Sequence, residues 1–256
     1  MSKTIKIGIL FLIIAVISTA CANDDLIPVY QPQKAGKVVI KGYNALQDSI
    51  QISLNGKLLV IDKRNAFVKK IENNYEFVFY DNSSKKIDVI NKKTKEVLQS
   101  YNFTNAKTLD TLSFYTKENV WIGNVLSSKP GKLSATNRVG FRFIFPSVNL
   151  YSKSGYTGSL DAIIKKTNGD VLGISQNITN RTFSSYLELP FSSPPIVNVE
   201  IVKHGTTDSY VSDKKVTFQM VLQNNKSKLI VLDEKATGNV FSGVEGNINL
   251  TDYFTF

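Results

Sequence analysis

Asn55-Gly56 stands between two short runs of strand-forming residues, Ser49 to Leu54 and Lys57 to Asp62. An Asn-Gly pair in that setting demands a two-residue hairpin, because both residues accept the positive φ of a type I′ turn. The same pair returns at Asn168-Gly169, between Leu160 to Lys166 and Val171 to Ile174. A third hairpin is expected where Lys86 to Ile90 and Glu96 to Phe103 flank Asn91-Lys92-Lys93-Thr94-Lys95. Fifteen Phe, eleven Tyr and abundant β-branched residues suit such strands better than helices.

Further strands are expected at Lys37 to Ala45, Tyr75 to Tyr80, Leu109 to Tyr115, Tyr186 to Leu189, Ile196 to Lys203 and Lys215 to Leu222, with Trp121 in Asn119 to Val125 just before the turn-rich Ser127 to Lys132. In Val139 to Phe145, Phe141, Phe143 and Phe145 alternate with Arg142 and Ile144, the pattern of a half-buried strand. Leu229 to Leu232 is read as returning across Asn224 to Ser227, with Asp233-Glu234 as a polar turn after it. Phe241, Ile248 and Phe254 are candidate anchors in the Gly-, Asn- and Thr-rich stretch that follows. Regularly spaced strands of this kind predict an all-β protein of two tandem antiparallel β-sandwich domains, immunoglobulin-like in type. The turn-rich segment Ser127 to Lys132 places the break between them, with domains at 37–126 and 137–256. A single elongated sandwich or barrel is the alternative.

The first residues carry an address. Lys3 and Lys6 precede an apolar run from Ile7 to Ile17, and small residues lead to Cys21. A charged start, a short apolar core and a small-residue cleavage site make a signal peptide over 1–20. Ser18-Thr19-Ala20-Cys21 resembles the lipobox of bacterial lipoproteins, with Ser18 where Leu is usual, so Cys21 is expected to carry lipid. Residues 21–36, with Pro28 and Pro32, are expected to form a flexible tether. Asp24-Asp25 resembles the acidic export tag of surface lipoproteins in Bacteroidota-type bacteria, and equally suits the start of a solvated linker. Cys21 is the one cysteine, so no internal disulfide is available and stability must come from packing.

The net charge of +10 becomes +8 once Lys3 and Lys6 leave with the signal. The excess is lysine, with arginine only at Arg64, Arg138, Arg142 and Arg181. Nucleic-acid recognition favours arginine forks and a gathered basic stripe, so no nucleic-acid partner is expected. A scattered lysine surface suits anionic glycans or lipid head groups.

No catalytic constellation is legible. His204 is the one histidine, at a strand end with no nucleophile elbow around any serine, and is expected to be a solvated loop residue. One histidine and one cysteine make no zinc site, and no cofactor motif occurs. Loop carboxylates near Asp208 and Asp213 have no calcium-binding pattern behind them. Asp48-Ser49-Ile50 and Asp110-Thr111-Leu112 resemble the three-residue O-glycosylation sequon of Bacteroidota-type exported proteins. Trp121, Tyr151 and Tyr156 are the candidate ligand contacts, with Tyr210 beside them, because an aromatic ring in a loop can stack on a sugar face. Ordinary packing at a domain edge is the alternative for each.

Taken whole, the chain resembles the surface or periplasm-facing lipoproteins of Bacteroidota-type bacteria, on the acidic tag and the tandem β modules. The resemblance implies an outer-membrane location through the lipid anchor and a non-enzymatic binding or structural role toward another envelope protein. A glycan-binding accessory role in polysaccharide uptake is the alternative.

Overall fold

The computed structural model describes residues 33–46, 48–59, 69–80, 83–117 and 120–256. The expected signal peptide, Cys21 and the expected tether up to residue 32 lie outside the described residues.

The protein is all-β, two sandwiches in tandem. The first comprises β1 (Gln33–Asn44), β2 (Ile50–Leu54), β3 (Lys57–Leu59), β4 (Lys70–Tyr80), β5 (Ser84–Asn91), β6 (Val97–Thr104), β7 (Leu109–Lys117) and β8 (Val120–Gly123). The second comprises β9 (Arg138–Ile144), β10 (Leu160–Lys166), β11 (Val171–Ile178), β12 (Leu187–Pro190), β13 (Ile196–Lys203), β14 (Thr217–Val221), β15 (Lys226–Thr237) and β16 (Val240–Asn249).

Strand order is β4-β1-β7-β8 over β3-β2-β5-β6 in the first sandwich, and β12-β9-β15-β16 over β11-β10-β13-β14 in the second. Adding eight to each strand of the first gives the second, so one topology is used twice. Pairing is antiparallel apart from β1 with β7 and β9 with β15, which run parallel.

The turn chemistry explains the hairpins. Asn55 and Gly56 take φ 49° and 77°, and Leu54 pairs with Lys57 across them. The Asn91 carboxamide oxygen accepts from the Lys93 and Thr94 amides and shapes the β5–β6 turn. Three expectations need correction. Gln33 to Gly36 belong to β1, where they pair with Tyr80 to Phe77; Gln33 to Ala35 are exposed, so no apolar alternation marked them as strand. Leu229 to Leu232 do not return beside β14; β15 crosses to the other sheet and lies parallel to β9. Asp233-Glu234 is no turn, since β15 continues to Thr237.

Each sandwich has its own core. Val38, Ile40, Ile52, Phe79, Ile87, Leu112 and Phe114 fill the first. Val139, Phe141, Phe143, Ala162, Ile164, Val199, Ile201, Ile230 and Leu232 fill the second. A third cluster lies between them. Tyr115, Val120, Ile122 and Val125 of the first sandwich meet Ile144, Leu229, Val231 and Ile248 of the second, all buried. Alternation along the strands explains it: Ile230 and Leu232 point inward, so Leu229 and Val231 face out, and that outward face is apolar. Leu250 and Phe254, from the short 3-10 turn Leu250–Asp252 and the residues after it, pack into the same cluster. The Tyr253 ring sits 4.1 Å from Tyr43. Domains move relative to one another by default unless their interface is large and hydrophobic. This one is a core in its own right and couples the sandwiches.

Burial also sets an alkaline limit. It pushes the Tyr101 phenol up to about 12 and raises Tyr75, Tyr115 and Tyr210 as well. A raised folded pKa in an acid means the fold prefers the neutral phenol. That contribution is complete below the unfolded value near 10 and is lost as pH rises through the folded value. Stability should therefore begin to fall as pH rises past about 10, with the Tyr101 share lost by about pH 12. Denaturation midpoints followed with phenolate absorbance check this; all four phenols ionising near 10 in the folded protein would contradict it.

Candidate functional site

The most elaborately built part of the molecule is one end of the second sandwich, where the loop 145–159 meets β15. Its centre is Glu234, a buried carboxylate on β15. Oε1 accepts from the Asn149 amide at 3.0 Å, the Ser152 hydroxyl at 2.6 Å and the Tyr210 hydroxyl at 2.8 Å. Oε2 accepts from the Tyr151 and Ser152 amides at 2.7 and 2.9 Å. The Glu234 amide in turn donates to the Ser147 hydroxyl at 3.0 Å. A buried charge is tolerated only when its lone pairs are met, and here the loop supplies the donors.

The loop is tied to itself as well. Asn149 takes φ 66° and donates through its side chain to the Tyr156 carbonyl at 2.8 Å. The Ser154 hydroxyl donates to Asn149 Oδ1 at 2.6 Å, and the Tyr156 hydroxyl to the Ser159 carbonyl at 3.0 Å. Asn tolerates the left-handed backbone that such a tight path needs.

Two clefts flank this loop. One, about 220 Å³, lies against the first sandwich and is lined by Lys117, Val120, Tyr151, Asp233, Lys235 and Glu245 among others. Lys117 bridges to Asp233 across the domain junction at 3.3 Å, and Lys235 pairs with Glu245 at 3.0 Å. The second, about 190 Å³, is lined by Val148, Asn149, Tyr156, Thr157, Ser159 and Asn180 among others. Lys203 Nζ lies 5.7 Å from the Tyr156 ring centre. Beyond it an open groove of about 530 Å³ runs over Asp161, Ile163, Ile174, Gln176 and the turn Gly205 to Asp208. These surfaces offer aromatic edges, hydroxyls, amides and paired charges, which is the equipment of polar recognition.

Of the aromatic residues singled out in the sequence, Tyr151 and Tyr156 come together on this loop, each half-buried and each lining a different cleft. Trp121 is elsewhere. It lies half-buried on β8 with its ring stacked on Phe114 at 4.8 Å and 13°, packed against the first core. Phe114 fills the space above Gly42, where any side chain would collide with its ring. Trp121→Ala should therefore cost about 2–4 kcal/mol, toward the lower part of the range for large aromatic truncations. A urea midpoint indistinguishable from the parent's would contradict this. Tyr210 is buried, its ring edge-on to Phe145.

His204 is partly exposed, as expected of a loop residue, but its Nδ1 lies 2.9 Å from Asp161 Oδ1. Asp161 is buried and also accepts from the amides of Asn177 and Gly205, so the carboxylate fastens two turns. Among the described residues no three His, Cys, Asp or Glu side chains are placed to share a metal ion, Asp208 and Asp213 included.

Sequence reasoning missed Glu234. The signal was present: Ile230, Leu232 and Glu234 share one parity, so extending the alternation by one step puts a carboxylate on the inward face.

No family model matches the chain, and no curated protein does. Among solved structures it is similar to the Bacillus anthracis TIE protein, at 10% identity and TM-score 0.26 over 78% of this chain. The match spans about a third, 34%, of that protein. It is also similar to a family 41 carbohydrate-binding module from streptococcal virulence factors, at 9% identity and TM-score 0.25, covering 82% of this chain and 97% of that one. A family 26 module from Eubacterium rectale, solved with maltoheptaose, gives 8% identity and TM-score 0.22, covering 83% and 97%.

Proposed function

We propose that the chain is a lipid-anchored envelope protein of the outer membrane with a non-enzymatic binding role, and that the loop cluster of the second sandwich is its recognition end. The carrying observation is the Glu234 network, which commits a buried carboxylate to holding Tyr151 and its neighbours in place. Binding surfaces gain affinity when their loops are fixed beforehand, since less ordering remains for the partner to impose. His204 and Asp161 serve as a loop fastening in this reading, not as an acid–base pair. Cys21 carries the lipid.

Crosslinking in the native envelope tests it. A protein partner should be captured with the parent chain and lost with Tyr151→Ala and Tyr156→Ala together. Capture that ignores both changes would move recognition elsewhere. Metabolic labelling with a fatty-acid analogue tests the anchor, and Cys21→Ala should abolish it.

A glycan is the second reading, favoured by two half-buried tyrosines set in polar clefts on one loop. It expects polysaccharide retention that weakens in the same double variant while the fold is unchanged. A partner protein captured without any glycan retention would remove it.

A further inference from the structure

We propose that the end of the first sandwich where β1 begins is a membrane-docking surface for anionic lipid head groups. The inference rests on the anchored reading above and adds which part of the protein touches the bilayer.

The strand directions gather one set of residues there. β1 starts at that end, where β4 finishes and β5 begins, and the β2–β3 and β6–β7 turns lie there too. Lys34, Lys57, Lys86 and Lys107 are exposed at this end, with Lys85 and Lys37 half-exposed among them. Among the described residues, three carboxylates nearby are engaged by these lysines: Glu76 by Lys37, Asp88 by Lys86 and Asp110 by Lys107. Lys34 Nζ reaches the Asn105 carbonyl, which fixes its stem beside the β6–β7 turn.

Large apolar side chains stand exposed among the lysines. Leu58 is 52% exposed on β3, Tyr80 50% at the end of β4 and Leu109 63% at the start of β7. The register sets Leu109 beside Lys37, and Tyr80 beside Gln33. Lysines around protruding Leu and Tyr form the combination that suits a lipid interface: the rings and stems enter the boundary while the charges stay with the head groups.

The placement in the chain supplies the occupant. Cys21 precedes Gln33 by a short stretch of sequence, so a chain held at Cys21 brings this end toward the bilayer first. The second sandwich is fastened at the opposite end, through Tyr43, Tyr115, Val120 and Ile122. From Gln33 to Tyr43 along β1 is roughly 30 Å at about 3.3 Å per residue. The lysine end therefore lies far from the recognition loops, and seating it on the membrane leaves them free.

The test uses the full chain purified with its lipid and reconstituted into vesicles of phosphatidylcholine, alone or mixed with phosphatidylglycerol. A polarity-sensitive fluorophore is attached at Leu109→Cys and, as control, at Val240→Cys on the second sandwich, where Val240 is 71% exposed. The Leu109 probe should shift blue and become shielded from an aqueous quencher only when phosphatidylglycerol is present, and high salt should reverse it. The Val240 probe should not change. Because each lysine near an anionic surface strengthens binding about fivefold, Lys34→Gln, Lys57→Gln, Lys85→Gln and Lys107→Gln together should abolish the shift. A Leu109 probe equally quenched on both vesicles, or a shift that survives the four changes, would overturn the proposal. The anchor fails separately. A lipidated Cys21 has no free thiol, so labelling of the parent chain at Cys21 counts against lipidation while the vesicle comparison still decides docking.

Discussion

Glu234→Ala should destabilise the protein by about 3–5 kcal/mol, the range for breaking a buried hydrogen-bonded network around a charge. The carboxylate meets three backbone amides and two hydroxyls. Alanine leaves the Tyr210 hydroxyl with its acceptor gone inside the core, and the loop amides must find water. Glu234→Gln keeps one acceptor oxygen but turns an amide donor toward groups that are themselves donors, so about 1–3 kcal/mol is expected from it. Urea denaturation measures both. Amide exchange at Asn149, Tyr151 and Ser152 should accelerate in each variant while the β13 core stays protected. A loss under about 1 kcal/mol in Glu234→Ala would mean the loop holds its shape without the carboxylate.

Phe254→Ala carries the second large effect. Phe254 is buried in the cluster between the sandwiches beside Leu250, Val231 and Ile248. Its segment is set by Asn249, whose side chain accepts from the Thr251 amide, and by the Phe254 amide donating to the Leu250 carbonyl. Truncating a buried phenylalanine costs about 3–5 kcal/mol. That loss falls on the junction, so the consequence is separation as well as weakening. Calorimetry of the parent should give one transition for both sandwiches, and the variant two. A single transition merely lowered in temperature would show that Tyr115, Val120 and Ile122 couple the sandwiches without Phe254.

The sandwich fold was legible because its signals are local. Asn55-Gly56 dictates a turn whatever surrounds it, and Phe141, Phe143 and Phe145 alternate regardless of partner. The parallel pairings of β1 with β7 and β9 with β15 were not legible, since side-chain period is the same in parallel and antiparallel strands. For the same reason alternation alone pairs Leu229 to Leu232 with the neighbour nearest in sequence. That run is apolar on both faces because one face meets the second core and the other meets the first sandwich; only the docked pair explains it. In the site, residue type and loop position mark Tyr151 and Tyr156. The same grounds mark Trp121, but β8 turns its ring onto Phe114, a contact between strands that no single strand's sequence carries.

The parallel pairing has a kinetic consequence. Lys37 must find Leu109, and Val139 must find Lys226, before either sandwich closes. Contacts so distant along the chain give a high contact order, and domains dominated by them fold in milliseconds to seconds rather than microseconds. Until β7 is available, β1 has β4 on one side and an open edge on the other, with apolar side chains ready to pair wrongly. A chain leaving synthesis is exposed in that state until its later strands follow. Its yield then depends on what shields β1 until its seventh strand arrives.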